Sequence, residues 1–349
     1  MARAAGRPGV PAHRSPRFGV PVALATALER AWSGWRGPHR TEGNADHRFV
    51  MDYPVQRHWR WKIAFYMYLS GASAGLVFFE VLLRWAGAID AETATLGMTL
   101  GVVLSLIAIL SVFDQLGPVA RWNFAFALRR PRTSVVTRSV MGILLLIALR
   151  VIAVAPELAG FESPWAEGTA TGDVLRALIL AVAIVYIVLS AMILSSWNAI
   201  PFWNTPMVPA LFVGFSLLGG VTTLPMLTWA LEGQAAMETL ATDLAPVAGA
   251  LLIANAGLLL LHVQGMSTAT RPARVSVRML LHGAVRGRFL GGVVVLGLAV
   301  PALLVSLQLA GSMTGLEAPT ALALAVAVQV GGYLLRDAIL RVGVYGSPV

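Results

Sequence analysis

The stretch that decides the fold runs from Tyr186 to Gly220 and reads YIVLSAMILSSWNAIPFWNTPMVPALFVGFSLLGG. Two apolar runs flank a short uncharged turn. Pro201 and Pro206 lie too close together for one continuous helix to pass through the turn. The turn also carries tryptophan and asparagine side chains of the kind that sit at a bilayer interface. The stretch therefore predicts a hairpin of two membrane-spanning helices.

The composition extends this prediction to the whole chain. Of 349 residues, 57% are hydrophobic and only 12% are charged, whereas a soluble domain carries about 25% charged residues. The chain has no cysteine, which excludes disulfides, thiolate ligation of iron–sulfur clusters and haem attachment through C-x-x-C-H. A redox metal would need histidine ligands or another subunit. In a membrane chain, the net charge of +9 indicates loop orientation rather than nucleic-acid binding.

A membrane span needs about 20 apolar residues, and about eight segments qualify. They lie near residues 62–86, 94–118, 136–156, 173–197, 206–230, 241–265, 288–311 and 319–343. We expect an all-α integral membrane domain over residues 56–349, preceded by a basic, partly disordered tail over residues 1–55. The apolar patch Val20–Leu28 in that tail is too short to span, and it predicts an amphipathic interfacial helix.

Loop charges predict the orientation. The tail and the second and sixth loops are basic, whereas the third and fifth loops carry glutamates. The basic loop residues are Arg121, Arg129, Arg130, Arg132 and Arg138, then Arg271, Arg274, Arg278, Arg286 and Arg288. The positive-inside rule places both termini and the even-numbered loops in the cytoplasm.

Charged residues within spans are costly in lipid and are functional candidates by default. Glu80 and Arg150 lie toward the predicted outer side of the first and third spans. They are either a structural ion pair or a snorkelling arginine that joins neighbouring helices, or steps of a proton path. Asp114, near the inner end of the second span, either pairs with Arg121 where Gly117 and Pro118 end the helix, or relays protons.

Further polar groups lie near the same predicted inner side. Arg336 and Asp337 end the last span, and His262 is near the inner end of the sixth, with Asn255 deeper. His262 is either a hydrogen-bonded packing residue or a ligand. A b-type haem needs two buried histidines on facing helices. Since His58 precedes the first span and His282 falls in a predicted loop, we expect no haem.

Tyr186 lies in the middle of its span and either packs there or acts chemically. Together with His58, His262 and Asp114, it would give a phenol, imidazoles and a carboxylate in one half of a helical bundle. Such groups can hydrogen-bond and protonate the carbonyl oxygens of a quinone.

Several stretches resemble the NrfD/PsrC family, the polysulfide-reductase-type membrane subunits of molybdopterin oxidoreductases. The first is WRWKIAFYMYLSGASAG, from Trp59 to Gly75, with its G-x-x-x-G face at Gly71 and Gly75. The second runs from Asp114 (DQLGPVARW) to RRPRTS at Ser134. The others are PFWNTP, Pro201 to Pro206, and GYLLRD, Gly332 to Asp337.

The resemblance implies a quinone-reactive subunit of about eight helices in a prokaryotic inner membrane. It would have no redox centre of its own and would bind menaquinone or ubiquinone. Its implied partners are a ferredoxin-like subunit with four iron–sulfur clusters and a molybdenum or tungsten catalytic subunit. If those partners are cytoplasmic, a formate dehydrogenase module would fit.

By the same resemblance, the quinone positions carry over to His58 and Tyr186, and Asp114 matches the family's acidic residue on the second helix. The implied proton path uses Glu80 and Arg150, and we add Asp114 and Arg336 to it. Two other classes stay open. One is a secondary transporter that uses Glu80, Arg150 and Asp114, although no half-to-half repeat is visible. The other is a purely structural anchor for a soluble complex.

Overall fold

A computed structural model of the chain describes residues 53–127, 131–161, 163–166, 169–312 and 315–346, with no side chains over 116–127. Its helices are α1 (Trp61–Trp85), α2 (Ala91–Ala127), α3 (Val135–Ala159), α4 (Ala170–Ser195), α5 (Met207–Glu232), α6 (Gln234–Thr268), α7 (Arg271–His282), α8 (Gly287–Leu309) and α9 (Glu317–Arg341). Eight of these, all except α7, are long and apolar enough to cross a membrane. Within these ranges the only β pairing is one isolated bridge, Val55 to Val344. The predicted all-α membrane fold is confirmed, while the predicted helix Val20–Leu28 lies outside the described residues.

Polar side chains cap the starts of both α3 and α4. The Ser134 side chain accepts a hydrogen bond from the Thr137 amide at the start of α3, and Thr169 does the same for Gly172 in α4. Gly160 ends α3 at φ 72°, a left-handed conformation that glycine adopts without steric cost. These residues fix both ends of α3, which carries Arg150, and the start of α4, which carries Tyr186.

Two predicted boundaries were wrong. Helix α2 does not end at Gly117 and Pro118 but continues to Ala127. A proline removes one backbone hydrogen bond, and membrane helices tolerate this loss because neighbouring groups compensate for it. The second error concerns the sixth loop, which contains α7, so His282 is the last residue of a helix and not a loop residue.

The eight long helices can be described as two groups, α1–α4 and α5, α6, α8 and α9. The groups meet mainly where α1 packs on α5, and also where α4 packs on α5 and α1 on α9. Glycine makes this crossing possible. A Cβ atom on Gly75 would lie 1.9 Å from the Ser216 carbonyl oxygen, and one on Gly220 would lie 2.2 Å from backbone atoms of Gly75. The predicted small-residue face of the first helix is therefore confirmed as a close helix contact.

The first and last described segments meet at one end of the bundle, which we call the terminal end. The backbone N–H of Gln56 donates to the Gly343 carbonyl over 2.9 Å, and the backbone N–H of Tyr345 donates to the Pro54 carbonyl over 3.0 Å. The α4–α5 turn joins them, since the Trp203 indole donates to the Ile339 carbonyl over 2.9 Å. Trp203 is thus buried, whereas Trp197 of the same turn is exposed. The cytoplasmic location of this end stays a prediction.

Candidate functional site

One face of α1 carries a line of buried polar side chains. Tyr66, Ser70, Ser73 and Glu80 follow one another at intervals of four, three and seven residues, a spacing that keeps them on one side of a helix. All four are buried within the bundle. We call them the α1 polar face. Because polar groups inside a membrane helix are costly, this face needs partners on neighbouring helices.

The half of this face nearer the terminal end meets the Tyr186 phenol. The Tyr186 hydroxyl of α4 lies near the hydroxyls of Tyr66, Ser70 and, on α3, Ser139, and we call these four residues the hydroxyl cluster. The side-chain oxygens of Tyr66, Ser139 and Tyr186 are fully buried, yet none has a well-formed hydrogen bond to another described residue. Buried polar atoms are normally satisfied, so this cluster has capacity for further hydrogen bonds.

Arg150 lies at the middle of the α1 polar face. Its guanidinium donates to the Ser73 hydroxyl over 2.7 Å and to the Ser73 carbonyl over 2.8 Å. It lies against Gly101, where a Cβ atom would be 2.4 Å from its Nη2. Arg150 is fully buried and so does not snorkel toward the membrane surface. Its charge interacts electrostatically with that of buried Glu80, and the ion pair and the proton path considered for these two residues both stay predictions.

A second buried arginine approaches from the other helix group. Arg336 of α9 donates to the Ser216 hydroxyl over 2.7 Å and to the Phe212 carbonyl over 3.0 Å, and it lies 4.9 Å from the Phe212 ring. The charges of Arg150 and Arg336 both interact electrostatically with the Tyr186 phenol. Tyr186 is therefore a buried hydroxyl under the influence of two buried cations.

His58 and Asp114 occupy the surface of the terminal end. Asp114 is exposed and forms an ion pair with Lys62, while the Gln115 side chain donates to the His58 carbonyl over 3.1 Å. The predicted partner of Asp114, Arg121, has no described side chain. Among the described contacts, none connects His58 or Asp114 to Tyr186, so their roles at a quinone site stay predictions.

His262 lies in the other helix group. It is buried on α6, with Nδ1 3.5 Å from the Thr205 hydroxyl and its ring edge-on to Phe202 at 4.6 Å between centroids. Its Nε2 atom has no hydrogen-bond partner within the described ranges. The structure thus gives His262 a separate environment from the hydroxyl cluster, and its role as a quinone ligand stays a prediction.

The sequence analysis missed Tyr66, Ser70, Ser73 and Ser139. For the α1 residues a signal was present, since a tyrosine, two serines and a glutamate recur at helical intervals in an otherwise apolar span. Ser139 carried no such signal, because only the tertiary structure, in which α3 packs on α4, brings it to the cluster.

Residues 50–345 match the protein family described as polysulphide reductase, NrfD. The chain belongs to this family. A search of known proteins finds two relatives that support the assignment. It is 29% identical over 184 residues to Protein NrfD of Escherichia coli K12, a match that spans 46% of this chain but only 57% of that relative. It is 25% identical over 273 residues to one subunit of the polysulfide reductase of Wolinella succinogenes, a match that spans 70% of this chain and 82% of the relative.

The match to the NrfD family includes every residue of the α1 polar face and of the hydroxyl cluster. It also includes Arg150, Arg336 and the glycine crossing between α1 and α5. The buried polar groups described above therefore belong to the part of the chain that has family relatives. The family membership identifies an integral membrane protein, and the chemistry of the site has to be argued from its residues.

Proposed function

We propose that this chain is the quinone-reactive membrane subunit of a multi-subunit oxidoreductase. It would pass electrons between a partner iron–sulfur subunit and menaquinone or ubiquinone. Such an assembly agrees with the name of the Wolinella succinogenes relative, which describes it as one component of a polysulfide reductase. The observation that carries the proposal is the hydroxyl cluster, whose buried Tyr66, Ser139 and Tyr186 oxygens have spare hydrogen-bonding capacity.

The chemistry of the cluster suits a quinone head group. Reduction of a quinone takes up two electrons and two protons, and negative charge develops on its oxygens as electrons arrive. Hydroxyl groups can donate hydrogen bonds to those oxygens and exchange protons with them. Buried cations stabilise such developing charge more strongly than exposed ones, because solvent does not screen them. The charges of Arg150 and Arg336, both of which act on Tyr186, meet this need.

Electrons would enter from the terminal end. Tyr186 lies nine residues before Ser195, the last residue of α4, which corresponds to about 14 Å of helix. The nearby surface carries Arg57, Arg60 and Lys62, so we expect the partner to present an acidic or polar surface there. In our proposal this partner is the ferredoxin-like iron–sulfur subunit, which connects the chain to a molybdopterin catalytic subunit. His58 and Asp114 would lie beneath that contact.

Protons would use the α1 polar face. From the hydroxyl cluster, the face continues through Ser73 and Arg150 to Glu80, which lies five residues before the end of α1 at Trp85. The later steps connect groups that interact in the structure, since Arg150 donates to Ser73 and interacts electrostatically with Glu80. The first step, from Ser70 to Ser73, is one turn of α1. A path of this kind would join the quinone site to the end of the bundle opposite the terminal end.

The test is quinone turnover by the intact complex carrying Tyr186→Phe, Tyr66→Phe or both. Each change removes one hydroxyl and keeps the ring, so packing is preserved. We expect each single variant to lose roughly 10-fold or more in turnover with a short-chain quinone analogue, because a lost hydrogen bond to a charged oxygen costs about 1.5–3 kcal/mol. Electron transfer from the catalytic subunit to its own iron–sulfur clusters should be unchanged.

Tyr333→Phe on α9 is the matched control, because Tyr333 packs on the rings of Phe65 and Tyr68 outside the cluster. It should retain wild-type turnover. Wild-type rates in the Tyr66/Tyr186 double variant would reject the site. A purified complex that contains no quinone and reduces no quinone analogue would instead show a structural anchor, and substrate uptake by the isolated chain in vesicles would show a transporter.

A further inference from the structure

The proposed function leaves one charged surface unused, the outer face of α7. Arg271, Arg274, Arg278 and His282 are all exposed, and their spacing of three, four and four residues places them on one side of the helix. The opposite side, which includes Pro272, Val277 and Leu280, is buried against the bundle. The helix is therefore fixed in place and presents a row of cations outward.

Most of the positive charge on this surface has no acidic partner in the chain around it. No aspartate or glutamate occurs between Asp243 and Glu317. Arg286 and Arg288 extend the exposed positive surface beyond the helix. Arg288 lies 3.6 Å from the Asp337 carboxylate. The described part of the chain shows no ion pair for Arg271, Arg274, Arg278 or Arg286. We call these four residues and Arg288 the α7 arginine row.

The position of α7 points to a ligand that is part of the membrane. The helix connects the end of α6 to the start of α8 and packs against both. These two long helices expose Leu260, Leu261 and Val295 on their outer sides, as expected of surfaces that face lipid chains. An amphipathic helix at the end of two spans lies at the level of the lipid headgroups.

We infer that the α7 arginine row binds the headgroups of anionic phospholipids, with the acyl chains lying against the exposed leucines of α6. Guanidinium groups pair with phosphate through two parallel hydrogen bonds, and clusters of basic residues next to a membrane span attract anionic lipids. An acidic partner protein is the competing occupant. The row is favoured as a lipid site because it continues into lipid-facing surface and lies on the helix group that does not carry Tyr186.

The experiment compares two triple variants of the full chain in nanodiscs. The first is Arg271→Gln/Arg274→Gln/Arg278→Gln. The matched control is Arg57→Gln/Arg132→Gln/Arg138→Gln, which removes the same charge from exposed positions in the other helix group. Native mass spectrometry counts the phospholipids retained by the protein. The thermal unfolding midpoint is measured in phosphatidylcholine alone and with added phosphatidylglycerol.

We expect phosphatidylglycerol to raise the unfolding midpoint of the wild type and of the control. The α7 variant should lose most of this rise and bind the anionic lipid on the order of 100-fold more weakly, since each arginine near an anionic surface contributes about fivefold. Its midpoint in pure phosphatidylcholine should equal that of the wild type, which shows that the variant is folded. If the α7 variant has a lower midpoint in pure phosphatidylcholine, the Arg→Lys triple variant, which keeps the charge, should restore both folding and most of the binding.

Equal lipid retention and equal midpoint shifts in the two triple variants would overturn the inference. Loss of the partner subunits from the α7 variant, with lipid binding unchanged, would also overturn it and would identify the row as a protein-docking surface. Neither outcome depends on quinone turnover, so the inference stands or falls separately from the proposed function.

Discussion

Two clusters of buried polar side chains are built in opposite ways. In the hydroxyl cluster of α1, α3 and α4, the side-chain oxygens of Tyr66, Ser139 and Tyr186 have no well-formed hydrogen bond to another described residue. Around Gln329, polar side chains of α1, α5 and α9 bind each other and connect the helices. Gln329 of α9 accepts from the Tyr68 hydroxyl of α1 and donates to the Thr223 hydroxyl and the Gly219 carbonyl of α5.

This difference indicates a division of labour. A fully satisfied network stabilises one arrangement of helices, whereas an unsatisfied one has capacity for a ligand or a proton. The two buried arginines differ in one respect. Each donates to a carbonyl and a hydroxyl on a neighbouring helix, and Arg150 also interacts electrostatically with the buried Glu80 carboxylate. We infer that the network around Gln329 supports the bundle, whereas the hydroxyl cluster carries the chemistry.

Separating the two groups should have the largest effect. In Gly220→Val, the new side chain would overlap backbone atoms of Gly75, because a Cβ atom there already lies 2.2 Å from them. Neither backbone can move without shifting a whole helix, so we expect a loss of about 3 kcal/mol or more in folding free energy and little assembled protein. The measurement is the yield of monodisperse protein and its unfolding midpoint. Gly265→Val on α6, where a Cβ atom would meet open space, is the control and should assemble normally.

Replacing either of the two buried arginines should give the next largest effect. Arg150→Gln should reduce quinone turnover at least 10-fold, because the hydroxyl cluster loses a buried cation that interacts with Tyr186. It should also lower the unfolding midpoint, since it removes two buried hydrogen bonds to Ser73. Arg336→Gln removes three hydrogen bonds, to Gly332, Phe212 and Ser216, so its midpoint should fall further, because each charged hydrogen bond contributes about 1.5–3 kcal/mol. A larger loss of turnover in Arg336→Gln than in Arg150→Gln would contradict the division of labour.

Single polar deletions in each group sharpen the comparison. Gln329→Leu leaves the Tyr68 and Thr223 hydroxyls without this partner, and we expect a loss of about 1–3 kcal/mol in folding free energy. Ser139→Ala removes a hydroxyl that has no well-formed hydrogen bond, so it should leave stability unchanged or raise it by a few tenths of a kcal/mol. Quinone turnover should fall in Ser139→Ala and stay close to the wild-type rate in Gln329→Leu. Unfolding midpoints and turnover of both variants, measured side by side, decide the question.

The sequence predicts the fold better than it predicts the site for a physical reason. A span is recorded locally as about 20 apolar residues, so all eight were predicted within a few residues except where α2 passes Pro118 and α6 begins at Gln234. The energetic cost of a polar side chain inside an apolar span likewise identifies Glu80, Arg150 and Tyr186 as candidate functional residues. The sequence gives the depth of a residue in its helix but not the neighbour that it faces. Ser139 and Tyr66 could not be assigned to Tyr186 for that reason, and His262 could not be separated from it.

The smallest effect is expected at Asp114, which the resemblance assigns to proton relay. Its carboxylate pairs with Lys62 at the surface, where the two side chains are 58% and 28% exposed. An ion pair so accessible to solvent contributes at most about 1 kcal/mol. Asp114→Asn should therefore leave the unfolding midpoint almost unchanged, and Lys62→Met should behave alike. Turnover then separates two roles. If Asp114 only holds α1 to α2, both variants keep wild-type turnover. If it passes protons to the quinone, Asp114→Asn alone loses turnover, and the loss deepens at high pH, where protons in solution are scarcer and cannot replace the missing relay.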